Sequence, residues 1–116
     1  MSTFFQSIAY ARSGLKIAFR HHPNIQRQLL IGCGAIVLGA YVHLSLIEWI
    51  VLVLTMTIVF LAEFMNTLVE EVVNLITTEY HKQARIAKDV AAGMVLLASF
   101  ASAIIGALLF LQKILR

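Results

Sequence analysis

From Val90 to Leu111 the chain runs without a charged residue. As a helix, an apolar run of about 20 residues covers the ~30 Å hydrocarbon core of a bilayer, and a small soluble protein has nowhere to bury it. Composition leads the same way: 60% of the 116 residues are hydrophobic and 13% are charged, with a mean hydropathy of +0.88. A soluble domain carries about 25% charged residues and needs them to cover its outside. The apolar excess must face lipid, which excludes secreted, disordered and coiled-coil classes.

Two further spans follow from the same signal. The first covers 29–47, interrupted only by His43. The second begins at 49, after Glu48; its uncharged part ends at Ala62, too short to cross alone, so the helix must carry Glu63 and its successors towards the membrane face, to about 76. The third span, with its polar start, is taken as 88–112. Ahead of them, within 1–22, Phe4, Ile8, Ala11, Leu15 and Phe19 recur every three or four residues, while Arg12, Lys16 and Arg20 form a basic row. That is the pattern of an amphipathic helix lying in the interface. It lacks the layout of a cleaved signal peptide and is expected to stay in the mature protein. Pro23 breaks the chain direction, and 24–28 leads into the first span. The expected fold is an all-α integral membrane protein, one domain over 1–116: three transmembrane helices plus an N-terminal amphipathic interfacial helix. So few helices offer little interior to shield several carboxylates, so an oligomeric bundle is expected.

Basic residues set the orientation. Arg12, Lys16, Arg20 and Arg27 precede the first span, and Lys82, Arg85 and Lys88 lie between the second and third; the hairpin between the first and second has none. The N-terminus and the second connection are therefore expected on the cytoplasmic side, with Lys113 and Arg116 running against the rule. These cations cluster at the ends of apolar segments, which suits lipid headgroups and excludes nucleic acid as a partner. The single Cys33, between Gly32 and Gly34, reads as a packing residue.

Within the second span, Glu63, Asn66, Glu70 and Asn74 fall at i, i+3, i+7 and i+11, a stripe roughly 80° wide on one helix face. Ionisable residues in a span are expensive, so the stripe is either a polar helix-packing seam or part of a site. Beyond it, segment 77–85 and the pair Lys88-Asp89 supply donors, acceptors and cations on the same side of the membrane. Carboxylates with a nearby lysine can hold Mg²⁺ and phosphate, and a further carboxylate can take the proton of an acceptor hydroxyl. Neither a P-loop nor a protein-kinase glycine motif is present. Small residues form two rows on the third span, Ala98, Ser102, Gly106 and Ser99, Ala103, Ala107, where helices are expected to approach closely.

The run Glu63-Phe64-Met65-Asn66-Thr67-Leu68-Val69-Glu70, then Glu79-Tyr80-His81, then Lys88-Asp89-Val90-Ala91-Ala92-Gly93, resembles the prokaryotic diacylglycerol kinase and undecaprenol kinase family. The resemblance covers nearly the whole chain, including Ala11, Gly14 and Leu15 in the amphipathic start. It implies a homotrimeric lipid kinase of the bacterial inner (cytoplasmic) membrane, with sites between subunits, that moves a phosphoryl group from Mg-ATP to a lipid alcohol. By matching positions it implies Glu63 as general base, Asn66 as its support and Glu70 as metal ligand. Lys88 would bind phosphate, and Asp89, Glu79, His81 and Tyr10 would lie near the nucleotide.

Two positions depart from the family pattern. A second metal-binding glutamate is usual where this chain has His22, and an aspartate where it has Asn74. Imidazole is a poor Mg²⁺ ligand beside carboxylate, which leaves one or two ions open, as well as another divalent ion, a local shift around Pro23 or a weakened enzyme. The stretch from Lys88 to Leu97 is more similar to the undecaprenol kinase branch, making undecaprenol the expected acceptor and diacylglycerol the alternative. A non-catalytic homologue is the further reading that His22 and Asn74 raise. A transporter or ion-conducting oligomer would leave the Lys88-Asp89 pair unused.

Overall fold

A computed structural model describes residues 3–115, four α-helices and no strand among them. In chain order they are α1 (Phe4–His21), α2 (Pro23–Tyr41), α3 (Leu46–Ile76) and α4 (Lys82–Ile114). At 1.5 Å per residue, α3 and α4 are about 45 to 50 Å long, more than the hydrocarbon thickness, and both are apolar enough to cross a membrane. Arg116, counted above, lies outside the described residues, as do Met1 and Ser2.

Local chemistry fixes each boundary. Thr3 Oγ1 accepts from the Gln6 amide and Gln6 Oε1 from the Thr3 amide, a reciprocal cap that starts α1. His22 is extended (φ −117°, ψ 106°) and serves both helices, ending α1 and preceding α2. Pro23 does not open a lead-in of several residues; it is the first residue of α2, where a missing N–H costs nothing. The Gln26 side chain donates back to the carbonyls of Phe19 (3.1 Å) and Arg20 (3.0 Å), acceptors left over at the end of α1. Ile25 fills this corner and is fully buried.

Hydropathy also misplaces the hairpin. α2 ends at Tyr41, and α3 is already helical at Leu46, so the turn lies at 42–45 and not around Glu48. The reason is a second reciprocal cap, Ser45 with Glu48 (3.0 and 3.3 Å), preceded by His43 at φ 57°. At the other connection, Lys82 to Ala87 already belong to α4, because His81 Nδ1 accepts from the Gln83 amide and the segment is rich in helix formers.

Close approach falls on α2. A Cβ at Gly32 would stand 2.7 Å from Met56 Cε, and one at Gly39 would stand 2.8 Å from Leu44 Cδ1 and 2.9 Å from Trp49 Cη2. At Gly106, on the row of small residues in α4, the same atom would meet nothing within 4 Å. That row instead borders a cavity of about 220 Å³ between α2, α3 and α4, with Ser102, Ala103 and Gly106 on its wall. Leu44, Leu52 and Leu109 form the buried core beside it.

Candidate active site

α3 carries the carboxylate stripe. Glu63 is 6% exposed, flanked by the buried Val59 and Ala62, and among the described residues it makes no hydrogen bond or ion pair. A covered carboxylate without a partner is costly within a span and marks a candidate site. One turn on, the Asn66 amide reaches Glu70 Oε1 (3.5 Å), while Asn66 Oδ1 is buried without a partner. Glu70 itself is exposed. Asn74 closes the stripe about 16 Å along the helix from Glu63.

The register between α3 and α4 joins this stripe to the basic segment. Lys88 Nζ donates to Asn74 Oδ1 at 2.8 Å. Lys88 also lines a polar basin of about 160 Å³ at the α3–α4 connection, together with Thr77, Thr78, Glu79, His81 and Arg85. The basin floor is shaped by a turn in which Thr77 Oγ1 accepts from the Glu79 amide (3.1 Å). Asp89 sits beside it, paired with Arg85 (Nε to Oδ1, 3.1 Å). Along α3, Glu70 lies between Asn74, which meets Lys88, and Glu63.

Of the residues expected at the site, the structure gathers Glu79, His81 and Lys88 at one basin with Asp89 adjacent, and it aligns Glu63, Asn66 and Glu70 on α3. Tyr10 and His22 are not brought to that basin. Tyr10 is 67% exposed on α1. His22 lines a separate groove of about 890 Å³ between α1 and α3, with His21, Thr67 and Glu71 as its polar members and Gly14, Leu15 and Phe64 among its apolar ones. Phe19 fixes α1 against α3 by edge contacts with Phe60 and Phe64. Glu71, on the face next to the stripe, was not anticipated from sequence; Arg85 belongs to the segment 77–85 that was, and its i, i+4 spacing from Asp89 signals their pairing.

Among the described residues, no group of three or more His, Cys, Asp and Glu converges as a complete metal cage. A kinase Mg²⁺ does not need one: one or two carboxylates with phosphate oxygens and water suffice. Glu70, an exposed carboxylate on the stripe, is a hard oxygen donor of the kind that fits such an ion.

Residues 9–110 match the family model of prokaryotic diacylglycerol kinase. The chain is 38% identical to the undecaprenol kinase of Bacillus subtilis (strain 168), over 98% of this chain and 93% of that one. To a diacylglycerol kinase of Synechocystis sp. it is 40% identical over 94% of this chain and 63% of that one. To the diacylglycerol kinase of Haemophilus influenzae the figures are 30%, 84% and 83%. The chain belongs to the prokaryotic diacylglycerol kinase family. It is a lipid kinase, and that class of enzyme uses ATP.

Proposed function

We propose that the protein phosphorylates undecaprenol, transferring the terminal phosphoryl group of ATP to the lipid hydroxyl. The observation that carries this reading is Glu63, covered and without a partner, on the α3 face whose last residue, Asn74, meets Lys88 of α4. The lipid hydroxyl oxygen attacks phosphorus, its proton passes to the Glu63 carboxylate, and the bridging oxygen leaves with ADP. Asn66 orients the reacting groups beside Glu63. Lys88 binds the phosphates; Glu79, His81 and Asp89 border the nucleotide. Glu70 would hold a Mg²⁺, which when bound would neutralise charge on the phosphate oxygens. The choice of undecaprenol rests on the Lys88 to Leu97 stretch and on the Bacillus subtilis relative; the name of the Synechocystis relative supports diacylglycerol as the second reading.

The same reading places the protein in the bacterial inner membrane with three spans, α2 being the third beside α3 and α4, and α1 lying in the cytoplasmic interface. Of the two cations that run against the orientation rule, Lys113 is paired with Glu48 (2.8 Å). Glu70 and Asp89 are exposed in one chain, so a homotrimer with sites between subunits gives them neighbours.

The test is transfer of labelled phosphate from Mg-ATP in mixed micelles that offer undecaprenol and diacylglycerol side by side. Labelled polyprenyl phosphate supports the first reading and labelled phosphatidic acid the second. No labelled lipid, with Mg²⁺ or Mn²⁺, would favour the non-catalytic reading.

A further inference from the structure

Near its first turn α4 directs Lys88 towards α3, and the partner of that lysine is an amide. Asn74 Oδ1 takes one of the three ammonium protons at 2.8 Å. The nearest carboxylate in sequence, Asp89, is engaged by Arg85 through both oxygens (3.1 and 3.3 Å). The ion pairs among the described residues are Arg85–Asp89 and Lys113–Glu48, so Lys88 belongs to none. It is thus held in place without being neutralised, with two protons left for a ligand in the basin.

We infer that Asn74 is a positioning residue: it fixes the Lys88 ammonium over the basin with a neutral oxygen, and so presents it to nucleotide phosphates with its full charge. The inference rests on the reading of Lys88 as the phosphate-binding lysine. An aspartate at 74 would hold the ammonium more firmly, since charge-assisted hydrogen bonds are the stronger kind, and would compete with the incoming phosphate. A residue with no acceptor would release the lysine to search many rotamers.

This separates positioning from simple tethering of α3 to α4. Asn74→Asp keeps or strengthens the tether and weakens anion binding; the two properties move in opposite directions. With the full-length protein in detergent micelles and Mg²⁺ present, Asn74→Asp should raise the Kd for a non-hydrolysable ATP analogue and the KM for ATP by about 5-fold. The KM for lipid, the kcat and the melting temperature should stay close to the parent. Asn74→Leu should weaken nucleotide binding and also lower the melting temperature. Lys88→Met serves as the reference. If Lys88→Met leaves nucleotide affinity unchanged, the phosphate-binding reading of Lys88 fails. If Lys88→Met weakens binding and Asn74→Asp does not, that reading stands and the role of Asn74 is overturned.

Discussion

Lys113 in the last turn of α4 and Glu48 in the first turn of α3 form an ion pair at 2.8 Å, with both side chains about five-sixths covered. Gln112 donates to the second Glu48 oxygen (2.8 Å), and the Lys113 ammonium also reaches the His43 carbonyl (3.4 Å). The Glu48 carboxylate therefore caps α3, anchors α4 and secures the hairpin at once. Lys113→Met should lower the melting temperature, since it leaves the Glu48 carboxylate with neutral partners only. Thermal unfolding in detergent checks this. Phosphoryl transfer by the folded enzyme should persist, because the clamp is at the far end of α3 from Glu63 and Lys88.

Glu63 should be separable from nucleotide binding. Glu63→Gln preserves shape and removes the only carboxylate at that depth of α3, so kcat should fall by a factor of about 10² to 10⁴ while ATP-analogue affinity and melting temperature hold. Parallel initial-rate and binding measurements decide it. Turnover within a few-fold of the parent would take proton abstraction away from Glu63.

What the chain discloses before folding is uneven, and the reasons are physical. Period and charge are local properties, so the uncharged run of α4 and the α3 stripe can be read directly. Caps are local too, yet hydropathy passes over them: Ser45 with Glu48 moves the hairpin upstream, and Pro23 begins a helix that a charge-free window starts at 29. The meeting of Lys88 with Asn74 depends on the register of two long helices, which no spacing within one helix encodes. Family likeness supplied the roles expected of the residues, whereas spacing showed only that Glu63, Asn66, Glu70 and Asn74 share a face. It also grouped Tyr10 and His22 with the rest, and within one chain these lie on the α1 side, where Glu71 is the acidic neighbour.

The glycines of α2 and α4 should respond differently to alanine. At Gly39 the added methyl would press on Leu44 and on the Trp49 indole, and destabilisation of about 1–3 kcal/mol is expected. At Gly106 the methyl enters open space within the chain, and removing a helical glycine should raise stability by about 0.5–1 kcal/mol. Thermal unfolding of the pair is the check. Equal losses at both positions would mean that α4 packs through Gly106 against something beyond a single chain.

His22 offers the most direct test of the metal requirement. Its imidazole lines the groove between α1 and α3 with His21, Thr67 and Glu71, so a carboxylate there would face an acidic neighbour and would gain from a divalent ion between them. His22→Glu should therefore lower the Mg²⁺ concentration for half-maximal phosphoryl transfer by about 10-fold, the scale on which ligand changes alter metal sites. A Mg²⁺ titration at saturating ATP and lipid measures it. An unchanged midpoint would show that the α1 side takes no part in holding the ion and that Glu70 with the phosphates suffices. A gain that disappears in a His22→Glu, Glu71→Gln double variant would assign the new carboxylate and Glu71 to one site.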